Sequence, residues 1–150
     1  MAITQAMTTS FKVQILTGTH NFGTGVVRAS TAADTFKIAL YTSSATLNAT
    51  TAAYTTSNEV PSTGNYSAGG NTLTVSQAPT STSTTAWLDF ADTTWSNATI
   101  TANGALIYNS TQADKSVAVL AFGGDKTSTA GDFTIIFPTA DSSNAIIRIA

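Results

Sequence analysis

From Asn71 onward the chain divides into short segments of β character: "NTLTVSQ", "TAWLDF", "WSNATI", "GALIYNS", "SVAVLAF", "DFTIIFP" and "NAIIRIA". Each is six or seven residues long, rich in β-branched and aromatic side chains, and bounded by Ser, Thr, Asn, Asp, Gly or Pro. Segments of that length alternate one buried and one exposed face, and they are too short for stable amphipathic helices. Their regular succession, without helical stretches between them, points to a sandwich or barrel and away from alternating βαβ units. Phe133, Ile135 and Phe137 show the alternation most plainly.

The turn signals are specific. Asn103-Gly104 lies between "ATI" and "ALIY" and predicts a two-residue hairpin, because that dipeptide accepts positive φ at both central positions. "PSTGNYSAGG" (61–70) is a turn cluster by composition, and the low-complexity "PTSTSTTA" (79–86) reads as a loop. In the first half, "DTFKIALYT" sets Phe36, Ile38 and Leu40 on one strand face. "SFKVQILTG" carries Phe11, Val13 and Ile15 at period two, which predicts another strand. Residues 43–60 are Ala/Thr-rich without alternation and leave room for a helical turn or two. The expected architecture is one all-β domain, a jelly-roll-like β-sandwich of eight or nine strands. Residues 1–33 form an N-terminal arm and first strand, and 34–150 the sandwich body.

Composition fits that architecture. The chain has 150 residues, of which 42% are apolar and only 9% charged, with 30 Thr and 16 Ser carrying the polarity. Thr suits half-buried pleated surface, and Ser and Gly suit turns. At this length a single core is large enough without staples. The absence of cysteine excludes disulfides and Cys-ligated metals. Net charge is −2, and the six basic residues are scattered, so no basic stripe is offered to nucleic acid. No apolar run approaches the ~20 residues that span a bilayer as a helix. The N-terminus lacks the features of a signal peptide, so synthesis in the cytoplasm is expected.

Residues able to do chemistry are few. "FGGDKTSTAGDFTIIFP" resembles a phosphate cradle only in Lys126-Thr127. A P-loop must lead into a helix whose amides hold phosphate, whereas here a strand follows. Gly123–Gly131 is therefore expected to be a hairpin connection. His20 is the only histidine and Glu59 the only glutamate. His20 sits in a Gly-punctuated loop with no triad signature around it, so it reads as an ordinary loop residue. An oxygen-ligand calcium site from Asp89, Asp92, Asp125 or Asp132 stays open, without a recognisable binding loop. Four Asn-x-Ser/Thr triplets, at Asn48, Asn65, Asn97 and Asn109, are close to chance in so Ser/Thr-rich a chain. No catalytic residue, cofactor or metal ligand is assigned, and an enzyme is not expected. Aromatics outside the strand cores, Tyr54, Tyr66 and Trp95, suit a protein interface or a sugar-stacking surface. Ile3 and Met7 are candidate apolar anchors of the arm.

As a set, "IALY", "EV…GNYSAGG", "WLDFADTTWSNATI", "GALIYN" and "LAFGG" resemble small virion structural proteins of tailed bacteriophages. The resemblance covers residues 34 to 150. It implies a β-sandwich capsid decoration (cement) protein in the virion, made in the host cytoplasm. Its partners would be the major capsid protein and copies of itself, with neither nucleic acid nor membrane. Related proteins also serve as tail or fibre components, so an adaptor or glycan-binding module is the alternative. The family brings no catalytic residues.

Overall fold

The computed structural model describes residues 3–8, 10–11, 15, 18–24, 32–83 and 85–149. Among these residues eight strands form two antiparallel sheets, a β-sandwich of five and three strands. They are β1 (Ala6–Met7), β2 (Phe36–Tyr41), β3 (Asn71–Thr72), β4 (Val75–Thr82), β5 (Thr85–Phe90), β6 (Thr93–Asn109), β7 (Lys115–Ile135) and β8 (Ile147–Ile149). The large sheet runs β1-β7-β6-β2-β3 and the small one β4-β5-β8.

The alternation of Phe36, Ile38 and Leu40 holds: all three face the main core, with Leu88 and Phe90 of β5, Ile147 of β8, and Phe11 and Phe22. The rings form a chain. Phe22 stacks on Phe36 at 4.2 Å, Phe36 meets Phe90 at 5.9 Å, and Phe90 meets Phe137 at 6.0 Å. Burying a side chain of this size stabilises by about 2–3 kcal/mol. The other face of the same sheet is also covered. Ala39, Tyr41, Leu106, Tyr108 and Val119 pack beneath Ala45 and Leu47, with Ile3 and Tyr54 against them. Residues 42–59 thus form an irregular layer over the sheet rather than a helical turn, tied down by Tyr54 N–H to Asp114 O at 2.9 Å and Ser116 N–H to Ala52 O at 3.0 Å.

Several sequence expectations are corrected. Asn103-Gly104 is no turn but lies inside β6, where Gly104 pairs with both Tyr41 and Ala121. A Cβ there would sit 2.5 Å from the Leu120 carbonyl oxygen and 2.8 Å from Ile3, so close packing, not turn geometry, requires the glycine. "WSNATI" and "GALIYN" are consequently one strand. Gly123 to Gly131 does not connect two strands either. β7 runs through it, and Gly123 (φ 72°) and Gly124 (φ 150°) form a bulge between the Ala121 and Lys126 pairings. The real hairpin turn is 110–114, where Asn109 Oδ1 accepts the N–H groups of Thr111 and Gln112, and Ala113 and Asp114 take positive φ. The polar run 79–86 is the tip of the β4–β5 hairpin, with Thr82 paired to Thr85.

The expected strand at 10–18 is replaced: Ser10, Phe11 and Ile15 are helical. Val13 lies outside the described residues. Thr8 Oγ1 accepts the Phe11 N–H at 3.3 Å, as an N-cap does. The described part of the expected arm folds onto its own body. Ile3 bridges to Leu47, and Ala6 and Met7 pair with Val119 and Ala118.

Candidate functional site

The polar interior is organised around two carboxylates. Glu59 is buried. Its Oε1 accepts the Tyr66 hydroxyl at 2.7 Å and the Gly69 N–H at 2.6 Å, and its Oε2 accepts the Tyr54 hydroxyl at 2.6 Å. Tyr66 Oη in turn receives the Leu40 N–H of β2 at 2.9 Å. Tyr108 donates to the Gly69 carbonyl at 2.8 Å and stacks on Tyr54 at 4.7 Å. The four tyrosines of the chain, counting Tyr41 with its bond to Thr55 O at 2.7 Å, thus meet around one carboxylate. Burial, then the hydrogen bond to Glu59, raises the Tyr66 and Tyr54 hydroxyls well above the usual phenol range. Burial pushes Tyr108 up to about 12, with Asp114 and Glu59 adding to it. All four phenols therefore stay protonated near neutrality and act as donors. The arrangement clamps 53–70 onto the sheet. Gly69 and Gly70 make the approach possible, with φ of 90° and 68°, and a Cβ on Gly70 would overlap the Ile38 carbonyl.

The second carboxylate is Asp34, at the entry to β2. Its Oδ2 accepts Asn109 Nδ2 at 2.8 Å and the Asn21 N–H at 3.2 Å. Asn109, fully buried, also lies 3.0 Å from His20 Nδ1. That contact fixes the unprotonated nitrogen at Nδ1 when the amide donates. His20 is buried beside Phe11, at a ring distance of 4.9 Å. It is a loop residue, as expected, but a buried one and not a surface one. An apolar groove of about 500 Å³ opens next to it, between Phe11, Ile15 and Phe22 on one side and Pro79, Trp87 and Ile149 on the other.

Tyr66 and Trp95 are buried, at 2% and 4% exposure, with their rings 5.9 Å apart, so neither offers a face to a partner of the folded chain. Tyr54 is half-buried in the Glu59 cluster, and Ile3 and Met7 pack against the two cores. The four aspartates considered for calcium are dispersed. Asp125 accepts Asn103 Nδ2, Asp132 the Asn97 N–H, Asp92 the Phe137 N–H and Asp89 the Phe90 N–H. Among the described residues no three acidic or imidazole side chains come together to hold a metal ion. Asp89 stands apart in one respect: among the described residues its Oδ2 is buried without a hydrogen-bond partner, and burial raises its carboxyl above the usual range against the opposing backbone amides of Phe90 and Ile146, with Asp92 and Asp141 adding to the rise.

Glu59 is the residue that sequence reasoning passed over. Its signal was its isolation, a lone glutamate flanked at short range by Tyr54, Tyr66 and the Gly69-Gly70 pair. A second groove of about 500 Å³ lies along distal β7, lined by Phe122, Phe133 and Ile135 and rimmed by Lys126, Asp132 and Ile136. Ile136 is 77% exposed. In comparisons with protein families, curated proteins and solved structures, nothing matches this chain.

Proposed function

We propose that this chain is a structural protein of a tailed-bacteriophage virion, a decoration or cement protein that binds between major capsid subunits. The observation that carries the reading is the use of the ionisable interior. Glu59 gathers Tyr54, Tyr66 and Gly69 of the 53–70 layer, which Tyr66 ties to Leu40 of β2, and Asp34 joins Asn21 to Asn109 of β6, bracing that suits a part under mechanical load. The resemblance of residues 34 to 150 to small virion proteins supports the same reading. Binding of many copies over a symmetric shell needs only a modest interface per copy, because neighbours share the load.

The test is cryo-electron microscopy of intact particles that carry this chain. Density repeated over the shell between major capsid subunits is the expected result. Density confined to the tail vertex overturns the cement role in favour of an adaptor. The glycan-binding alternative loses two of its three aromatic platforms, since Tyr66 and Trp95 are interior.

A further inference from the structure

We infer that the groove along distal β7 is a self-association surface, and that its occupant is the same groove of a second copy, related by a two-fold axis. Beyond Ala121, β7 has β6 on one side and, among the described residues, no strand on the other, since β1 pairs with Ala118 and Val119. The corresponding edge of β6 is occupied: Thr99 N–H bonds Gly64 O at 2.9 Å, and the Asn65 and Asn71 amides reach the 93–97 backbone. The surface left open is therefore the β7 side of the hairpin.

Its chemistry is self-complementary. Alternation along "DFTIIF" turns Phe133 and Ile135 inward and Asp132, Thr134 and Ile136 outward. Ile136 is the most exposed large apolar residue described, and it stands beside a groove floored by Phe122 and Phe133, whose rings lie 6.4 Å apart. Lys126 and Asp132 rim the same groove with opposite charges, and no ion pair forms among the described residues. They lie three residues to either side of Thr129. Antiparallel juxtaposition of two β7 segments about Thr129 sets each Lys126 opposite the second copy's Asp132. It carries each Ile136 toward the Phe122 end of the other groove. An isologous contact of this kind uses one patch twice and closes at two copies.

The contact is made by side chains and not by an added β-ladder. The Gly123-Gly124 bulge and the positive φ of Ala130 break the regular edge a ladder would need. This surface supplies the self-association that the proposed virion role includes and rests on that role only for its use in the particle. Particle imaging reads occupancy, whereas the experiment below reads copies in free solution, so the two fail separately.

Sedimentation equilibrium of the purified full chain should show a dimer that weakens with salt, as screened charge pairs do. Ile136→Lys should shift it to monomer. Lys126→Asp and Asp132→Lys should each weaken it about tenfold by setting like charges opposite one another. An equimolar mixture of the two single variants, and the double swap in one chain, should each restore association. Circular dichroism controls for folding, since Asp132→Lys also removes the acceptor of the Asn97 N–H. A wild-type chain that stays monomeric at high concentration overturns the inference. So does a dimer indifferent to Ile136→Lys, or charge variants that fail to rescue one another.

Discussion

The Tyr66 hydroxyl and the Glu59 carboxylate lie 2.7 Å apart, and the same phenol oxygen receives the Leu40 N–H of the central sheet. One hydroxyl therefore satisfies a strand amide and a buried anion together. Tyr66→Phe removes both partners while keeping the ring against Trp95. The expected loss is about 2–3 kcal/mol, the cost of leaving a buried amide and a charged acceptor short of a partner. Urea denaturation measures it, and a loss below 0.5 kcal/mol would show that the cluster does not brace the fold.

Asp89 gives a pH dependence with a definite sign. Its folded-state pKa is raised, so the folded chain binds a proton more readily than the unfolded one. The associated stability is present below about pH 4, where a free aspartate titrates, and is lost as pH rises through the folded value. Asp89→Asn removes the charge and should stabilise the protein at pH 7 by about 1 kcal/mol, roughly 3 °C in Tm. The difference should shrink toward pH 3. An unchanged gap between the two proteins across that range would rule out Asp89 as its source.

Two glycines separate space from backbone strain. Gly104→Ala drives a methyl against the Leu120 carbonyl and Ile3, and should cost about 3 kcal/mol or more. Gly123→Ala meets nothing within 4 Å, but at φ 72° it should cost about 1 kcal/mol. Chemical denaturation of both variants tests the order, and equal losses would contradict this account of β6.

Asn109→Asp sets a second carboxylate where an amide now donates to Asp34 at 2.8 Å. A loss of about 3 kcal/mol is expected, with a fall in Tm of roughly 8 °C. Differential scanning calorimetry provides the number. A change under 1 kcal/mol would mean that Asp34 draws its support elsewhere.

The fold was legible where local pattern and tertiary role coincide. Phe36, Ile38 and Leu40 alternate because one face of β2 meets the small sheet, and "TAWLDF" is β5 residue for residue. It was illegible where a neighbour reinterprets a local signal. Asn103-Gly104 has the chemistry of a turn, but its glycine admits Ile3 and the Leu120 carbonyl. Phe11 and Ile15 match strand spacing, yet helical backbone brings Phe11 to His20 and Phe22. Tyr66 and Trp95 look like loop aromatics in the sequence, but Trp95 belongs to β6 and the loop that carries Tyr66 folds back over it, so that both are buried. The Asp34 network was hidden for a similar reason: its donors come from as far as Gln112, and no spacing rule spans such a distance, whereas the donors of Glu59 lie close to it in sequence.

The pairing order of the large sheet has a consequence for synthesis. β2 leaves the ribosome well before residues 104–109 of β6, the segment it pairs with, and β1 must wait longer still for Ala118 and Val119. Until then Phe36, Ile38 and Leu40 belong to a nascent chain that lacks their main strand partner. The β6–β7 hairpin closes through the short 110–114 turn, so its completion is the event that lets earlier segments dock. A chain ending before residue 109 is an aggregation-prone fragment, whereas one released past residue 135 carries all five strands of the large sheet.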